Sequence, residues 1–420
     1  MLRIRIVTAI LGLLAWPLFA SARASVTTTD LFEQVKPAVI QVRILNVQTN
    51  QQSSLGSGFF VSERGLAVTN FHVVADVVHH PERYRAEYLD ELGGSGALRV
   101  LNVDVPNDVA IVKADIRPTT VLAFAKGDTR KGERLLSVGN PRDLGLTIVE
   151  GSFSGLLQGS FYQRIHYTGS LNPGMSGGPT INADRAVVGI NVATAGNQIS
   201  FLVAAQVARA LLERSVALID QPPQDFTALV RDQLKQDQAE KFDRLLTVGF
   251  QATPLGPFHV PISTAPFLRC WGDTSSRPME RYAVQTEECT VDDSTYIAAD
   301  HQSTPISFRH DYIDGENLNR WAFSNLLETF FNAVDAPKDA GDEHITPFRC
   351  EARFMENNDL KFKVAICLRS FKEYEGLYDF VFKGVTLSDK AIALHTELFL
   401  GGVSMESAER VLQRYLETIK

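Results

Sequence analysis

Between residues 38 and 205 the sequence is a succession of short apolar runs, each bounded by glycine, proline, asparagine or aspartate. The runs rich in β-branched and aromatic residues, which favour strands, are 38–44, 58–61, 66–69, 109–112, 135–138 and 187–190. Many short strands separated by turn residues are typical of a β-barrel or sandwich and not of alternating βαβ units. This stretch therefore predicts a mainly β domain.

Beyond residue 205 the pattern changes to helical segments. Residues 205–216 predict a short helix, Pro222 and Pro223 break it, and residues 226–246 predict a longer helix. The apolar positions of the longer helix are Phe226, Val230, Leu234, Leu245 and Leu246. We interpret residues 213–250 as a helical linker between two domains.

Residues 251–420 combine strand and helix patterns, which predicts an α+β domain. Apolar residues alternate with other types over 361–368, as they do in a strand. A helix is predicted where one face would carry Leu318, Ala322, Leu326 and Phe330. Ser404 is expected to cap a last helix whose buried stripe consists of Ala408, Val411, Leu412, Tyr415 and Leu416.

The composition indicates a globular protein and argues against a nucleic-acid partner. Of the 420 residues, 45% are hydrophobic and 21% are charged, and the formal net charge is −8. Binding to phosphates needs clustered lysine and arginine. The sequence contains no such cluster.

The first 24 residues have the pattern of a secretory signal peptide. Arg3 and Arg5 precede an apolar run over 6–20, and small residues then lead to an expected cleavage site after Ala24. The alternative is an uncleaved anchor helix, but the run of roughly 15 residues is shorter than the ~20 that cross a bilayer. We therefore expect a secreted or periplasmic protein that has no stable membrane insertion once the signal is removed.

The four cysteines all lie in the second half of the chain, and an even number in an exported protein indicates disulfides. Four cysteines allow three pairings, of which we favour the two local ones, Cys270–Cys289 and Cys350–Cys367. A metal site is disfavoured, because no CxxC or Cys/His spacing typical of zinc sites is present. No metal and no cofactor are expected.

The strongest local signal for chemistry is the segment Asn-Pro-Gly-Met-Ser-Gly-Gly-Pro at residues 172–179. A serine hydroxyl is a weak nucleophile, so acyl transfer requires a base, a carboxylate that orients the base, and N–H donors for the developing oxyanion. Glycines around Ser176 let the backbone turn its amides towards one point. The N–H groups of Gly174 and Ser176 are the candidate oxyanion donors.

Two further residues complete this constellation. His72 follows the strand-like run 66–69, and Asp108 directly precedes the run 109–112. Each residue alone is most simply a packed histidine or a turn aspartate, and the glycine-rich segment alone could be a flexible turn. Their occurrence together in one strand-rich stretch favours a triad in which His72 is the base, Asp108 orients it and Ser176 is the nucleophile.

These motifs resemble those of the chymotrypsin-like serine proteases, specifically the HtrA/Deg group of exported quality-control proteases. The resemblance extends from about residue 31 to 212 and rests on the segments 35–39, 56–59, 69–74, 108–113, 139–141, 174–179 and 189–191. It implies two packed six-stranded β-barrels with the triad in the cleft between them. Met175 stands where such proteases usually have Asn or Asp. HtrA relatives usually carry PDZ domains, but residues 251–420 lack the expected peptide-cradling loop and contain four cysteines.

The resemblance also implies a domain organisation and a specificity pocket. We expect a trypsin-like serine protease domain over 25–212 with a mainly β, double-barrel fold, followed by the linker and an α+β domain over 251–420 of unknown role. By the family's pattern the pocket would be lined by Ser170, Val192, Ala193 and Thr194. None of these is charged, so small or aliphatic P1 residues are expected, because a charged side chain would be buried without a partner.

The leading hypothesis is an exported serine endopeptidase that cleaves unfolded or damaged proteins through an acyl-enzyme. Polypeptides would be its partners. The alternatives are a non-catalytic binding or chaperone-like protein on a protease scaffold, and a non-proteolytic acyl hydrolase. Trimers are common in the resembled family, so a homo-oligomer is left open.

Overall fold

The computed structural model of the chain describes residues 27–194, 198–275, 281–291, 293–299, 301–303, 305–332, 344–388 and 390–420. The signal peptide expected at residues 1–24 lies outside these ranges. Among the helices within them, none is both long enough and apolar enough to cross a membrane.

The first six strands close into an antiparallel barrel in the order β1-β2-β3-β6-β5-β4. They are β1 (Val39–Asn46), β2 (Gln52–Phe60), β3 (Leu66–Thr69), β4 (Tyr84–Leu89), β5 (Ser95–Asp104) and β6 (Val109–Ala114). Helix α1 (Thr28–Val35) precedes the barrel and begins at a capping box formed by Thr27 and Asp30. Helix α2 (Phe71–His79) connects β3 to β4.

The next six strands form a second closed barrel in the order β10-β11-β12-β9-β8-β7. They are β7 (Arg134–Gly139), β8 (Thr147–Leu156), β9 (Arg164–Tyr167), β10 (Pro179–Ile181), β11 (Val187–Thr194) and β12 (Ser200–Ala204), and α3 (Ala205–Ser215) follows them. Val68 and Ile111 of the first barrel share one buried core with Val138 and Ile190 of the second. This common core packs the barrels against each other, and the predicted double barrel is confirmed.

Helix α4 (Thr227–Val248) occupies the segment interpreted as a linker, and it is packed along its whole length. Val230 and Leu234 belong to the apolar core of the first barrel. Phe242 and Leu245 belong to the core of the C-terminal sheet. The helix therefore contributes side chains to two hydrophobic cores and is more than a connection between two domains.

The C-terminal half is built on a seven-stranded sheet in the order β15-β16-β19-β23-β22-β21-β20, with antiparallel neighbours throughout. Its strands are β15 (Leu268–Ser275), β16 (Ala283–Val291), β19 (Ile306–Asp314), β20 (Arg349–Asn357), β21 (Leu360–Ser370), β22 (Tyr378–Thr386) and β23 (Ile392–Val403). The other elements are β13 (Gln251–Leu255), β14 (Phe258–Ile262), β17 (Thr295–Tyr296), β18 (Gln302–Ser303), α5 (Arg320–Asn332) and α6 (Met405–Thr418). This arrangement agrees with the α+β interpretation.

Disulfides join Cys270 to Cys289 and Cys350 to Cys367, which are the two local pairings favoured from the sequence. The first bond links β15 to β16 and the second links β20 to β21. Each bond therefore ties an edge strand of the sheet to its inner neighbour. Edge strands have a free backbone row, so the covalent links lie where the sheet is least supported by pairing.

Helix α5 buries two phenylalanines next to the apolar face that the sequence predicted. Its buried residues are Phe323 and Phe331, whereas Leu326 and Phe330 are only partly buried. Leu318 lies before the first residue of the helix. Leu318, Leu326 and Phe330 nevertheless pack against the same core, so the predicted apolar face contacts the sheet beside the two fully buried phenylalanines. Ser404 caps α6 as expected, by accepting from the Ser407 N–H.

Candidate active site

His72 and Asp108 come together because β3 and β6 are paired neighbours. His72 lies in the first turn of α2, directly after β3, and Asp108 is the residue before β6. His72 Nδ1 is 2.7 Å from Asp108 Oδ2, and the His72 N–H donates to Oδ1 at 2.9 Å. The Asp108 side chain is 2% exposed and that of His72 is 15% exposed. A buried carboxylate at Nδ1 holds the proton there and leaves Nε2 as the acceptor.

The backbone at Asp108 adopts an uncommon conformation that aims its carboxylate. Its φ of 58° lies in the left-handed region, which aspartate tolerates better than most residues. The buried Asn70 side chain donates from Nδ2 to the Asp108 carbonyl oxygen at 2.7 Å and holds this turn. Sequence reasoning included Asn70 in the resemblance but gave it no role.

The Ser176 loop depends on two glycines with positive φ. Gly174 has φ 95° and Gly177 has φ 85°, and a Cβ on either would come within 2.5 Å of a backbone carbonyl oxygen. The N–H groups of Met175 and Gly177 are used inside the fold, by Asn172 and Asn191 carbonyls at 3.0 and 2.9 Å. Within the described ranges, the N–H groups of Gly174 and Ser176 donate to no protein acceptor. An oxyanion hole requires two such donors.

Ser57 and Asn191 support this loop, and sequence reasoning assigned them no role. The Ser57 hydroxyl donates to the Gly174 carbonyl oxygen at 2.7 Å, and its N–H donates to the Ser176 carbonyl oxygen at 2.7 Å. Asn191 donates from Nδ2 to the Met175 carbonyl oxygen at 3.2 Å. These bonds fix the backbone on both sides of the nucleophile candidate.

The Ser176 hydroxyl donates to the carbonyl oxygen of Val192 at 3.0 Å, and within the described part of the chain it is not bonded to His72. The structure therefore pairs His72 with Asp108 directly. Ser176, the third predicted residue, is held by the hydrogen bond from the Ser57 N–H to its carbonyl oxygen, and, among the residues that the structure describes, its hydroxyl is not bonded to the histidine. Catalytic hydrogen bonds are often long without substrate and tighten in the complex. A rotation of the serine side chain would redirect Oγ.

Tyr296, from the C-terminal half, stacks on His72. The ring centroids are 4.5 Å apart and the planes are inclined by 25°. Burial first, and then the charge of Asp108, raise the pKa of Tyr296 to about 12, so the phenol is neutral at ordinary pH. The sequence carried no signal for this contact, because Tyr296 lies in a strand of two residues.

Beside this contact a cavity of about 220 Å³ lies between the second barrel and the C-terminal half. Val192 lines it, together with Arg164, Arg269 and Asp293. Asp293 accepts from the Ser160 hydroxyl at 2.9 Å and from the Phe161 N–H, so the C-terminal segment is anchored at the cavity wall.

Of the other residues predicted for a specificity pocket, Ser170 is exposed on the loop before the nucleophile candidate. Ala193 and Thr194 occupy positions in β11, where they pair with Phe201 and Ser200. Their side chains lie outside the described residues.

Comparison with known sequences agrees with the class that this geometry suggests. The sequence model of the trypsin-like peptidase domain matches residues 56–190. This part of the chain is therefore similar to trypsin-like peptidase domains, and the relatives that it resembles are named as serine proteases of the HtrA and DegP-like type.

The similar proteins include serine protease HTRA1B of Danio rerio, which is 31% identical over 44% of this chain and 40% of its own length. A probable periplasmic serine endoprotease, DegP-like, of Marinomonas sp. (strain MWYL1) is 35% identical over 34% of this chain and 30% of its own length. The crystal structure of the serine endoprotease from Yersinia pestis has 24% identity and a TM-score of 0.40, and covers 44% of this chain and 65% of that one. The chain thus spans about two fifths of the length of HTRA1B.

Proposed function

We propose that the chain is a serine endopeptidase with His72, Asp108 and Ser176 as its catalytic triad. The observation that carries this proposal is the buried Asp108 bonded to His72 beside a glycine-supported serine loop with two available N–H groups. A buried carboxylate at the imidazole Nδ1 and two available N–H groups on the serine loop are features that acyl transfer uses, and they support the proposal. The names of the similar proteins support proteolysis as the reaction.

In the proposed reaction, Ser176 Oγ forms a bond to the scissile carbonyl carbon while its proton passes to His72 Nε2. The negative charge on the carbonyl oxygen is accepted by the N–H groups of Gly174 and Ser176. The imidazolium, stabilised by Asp108, then donates its proton to the leaving amine, and the C–N bond breaks. Water repeats the cycle on the acyl-enzyme, with His72 as base, and releases the acid and the free serine.

We further propose that the enzyme is exported and acts on unfolded or damaged polypeptides. The DegP-like relative is named as periplasmic, and two disulfides are compatible with an oxidising compartment. Val192, which accepts from the Ser176 hydroxyl, is one neutral wall of the expected P1 pocket. A preference for small or aliphatic P1 residues remains part of the proposal.

A second candidate is a non-catalytic binding protein on the protease scaffold. Two observations favour it, since the Ser176 hydroxyl is bonded to Val192 and Tyr296 covers one face of His72. The two candidates differ in whether Ser176 reacts covalently.

The test is labelling with a fluorophosphonate combined with hydrolysis of an unfolded protein such as casein. The unmodified chain should be labelled once, at Ser176, and should cleave casein. Ser176→Ala should remove both properties, with a loss of at least about 10⁴-fold in kcat. Ser95→Ala, at an exposed serine on β5, is the matched control and should retain both. A chain that is folded but neither labels nor cleaves would support the binding protein.

A further inference from the structure

Outside the active site, His80, His344 and Glu373 converge at the boundary between the first barrel and the C-terminal half. One ligand atom from each residue can be chosen so that all three lie within 4.8 Å of one another. His80 directly follows α2, whereas His344 and Glu373 lie before β20 and after β21. The cluster therefore joins two parts of the molecule that are distant in sequence.

The donor set and its spacing suit a borderline divalent ion. Zinc is bound by imidazole nitrogen and carboxylate oxygen at about 2.0–2.2 Å in tetrahedral sites, which places neighbouring donor atoms about 3.4 Å apart. His344 Nδ1 and Glu373 Oε2 are already 3.2 Å apart. A modest side-chain rotation would bring the His80 nitrogen to the same separation.

The burial of the cluster also fits an ion site. The side chains of His80, His344 and Glu373 are 22%, 11% and 24% exposed. They are sheltered enough to be ordered, yet they leave solvent access for an ion to enter and for water to fill a fourth position. Glu82, whose Oε1 lies 3.6 Å from His80 Nδ1, adds a second negative charge nearby.

We propose that His80, His344 and Glu373 bind one divalent transition-metal ion, for which zinc is the best match, and that this ion fastens the C-terminal half to the first barrel. This departs from the expectation of no metal, which depended on local Cys and His spacing. The three ligands come from distant segments, so no such spacing could have indicated them.

The proposed ion site and the candidate triad lie at opposite ends of α2, under one segment of the C-terminal half. His79, the neighbour of His80, bonds through Nε2 to the Ile297 carbonyl oxygen at 2.8 Å. Ile297 follows Tyr296, whose ring stacks on His72. An ion held by His80 and His344 is therefore expected to hold residues 293–299 against the barrel.

The direct test is metal binding to the full, untagged chain carrying Ser176→Ala, so that the result does not depend on proteolysis. After treatment with a chelator, calorimetric titration should show one equivalent of Zn²⁺ bound. Co²⁺ in its place should give the visible absorption of a tetrahedral ion. His344→Gln, Glu373→Gln and His80→Gln should each weaken zinc binding by at least about tenfold, since each removes one of three protein ligands.

The matched controls are His259→Gln and Glu375→Gln, which alter an exposed histidine on β14 and an exposed glutamate next to the cluster. Both should bind zinc as the parent does. Circular dichroism on each variant excludes loss of fold as the cause. Hydrogen exchange at residues 293–299 should slow when zinc is added to the parent, and this slowing should vanish in His344→Gln.

Three results would overturn the proposal. They are the failure of the chelated chain to take up one equivalent, zinc affinity in the three ligand variants equal to that of the parent, and loss of the bound ion on His72→Gln with retention in His344→Gln. The last result would place the ion at the triad instead. None of them bears on whether Ser176 is a nucleophile.

Discussion

Two buried aspartate–histidine pairs within the described part of the chain are closely similar in local geometry. In the cleft, His72 Nδ1 is 2.7 Å from Asp108, and in the C-terminal sheet His395 Nδ1 is 3.0 Å from Asp311. The two carboxylate side chains are 2% and 1% exposed. Distance and burial alone therefore do not distinguish a candidate catalytic pair from a structural one.

The surroundings do distinguish them. Asp311 also accepts from the Thr286 hydroxyl at 2.6 Å and from Arg309 at 3.0 Å, so a neighbouring cation compensates its charge. The His395 side chain is only 4% exposed and packs against Phe330. In the cleft, by contrast, the pair lies beside a serine loop. A nucleophile, oxyanion donors and solvent access therefore define a catalytic site, whereas the Asp–His bond only orients the base.

The largest expected difference between the pairs is in catalysis. Asp108→Asn should lower kcat for a peptide substrate by about 10⁴-fold, because an amide at this position no longer holds the His72 tautomer that accepts the serine proton. Asp311→Asn should leave kcat within about twofold of the parent. Steady-state hydrolysis of the same peptide by both variants measures this, and equal losses in the two would contradict the assignment.

The next largest expected effect is on stability, and here the substitution in the C-terminal sheet should have the greater effect. Asp311→Asn removes a buried charge that bonds to three groups, including Arg309 and His395. We expect it to lower the free energy of unfolding of the C-terminal half by roughly 3 kcal/mol, the lower end for breaking a buried ion pair, since Arg309 can turn to solvent. Denaturant unfolding followed by circular dichroism tests this, with Asp273→Asn at an exposed position of the same sheet as control.

Acid should also act on the sheet through His310, the neighbour of Asp311. Burial lowers the pKa of His310 to about 3. As the pH falls below about 6.5, the unfolded chain binds a proton that the folded chain does not, so stability is full above that pH and declines down to about 3. The slope is at most about 1.4 kcal/mol per pH unit for this one group.

Thermal unfolding between pH 7.5 and 4.5 measures this slope. His310→Gln should reduce it. An unchanged slope in His310→Gln would show that other groups control the acid sensitivity. Asp311 contributes only at lower pH, because hydrogen bonds from His395, Arg309 and Thr286 outweigh burial and lower its pKa to about 2.

Much of the cleft was predictable from the sequence, because its parts lie in short motifs with a local physical signature. The apolar run 66–69 ends where β3 ends, and the run 109–112 begins where β6 begins. His72 follows the first of these strands and Asp108 directly precedes the second. Glycines flanking Ser176 indicated a turn that directs backbone N–H groups. The double barrel followed from short strands and from the family resemblance.

The rest depends on contacts between distant segments. Nothing local marks Tyr296 as a partner of His72, and Asp311 meets His395 only because β19 pairs with β23 in one register. The pairing order of the seven-stranded sheet is likewise set by long-range packing and not by the period of any strand.

The smallest expected effect concerns the aromatic ring next to each histidine, which is stacked on His72 and tilted against His395. A stacked ring contributes about 0.5–1.5 kcal/mol. If substrate must displace Tyr296 from His72, Tyr296→Ala should therefore raise kcat/KM for a short peptide by about 2- to 10-fold, whereas Tyr296→Phe should match the parent. Phe330→Ala, at the structural pair, should lower stability and leave kcat/KM unchanged. A fall in kcat/KM for Tyr296→Ala, with the fold intact, would instead make Tyr296 part of the surface that binds substrate. The ring on His72 would then have a functional role, whereas the ring beside His395 has only a structural one.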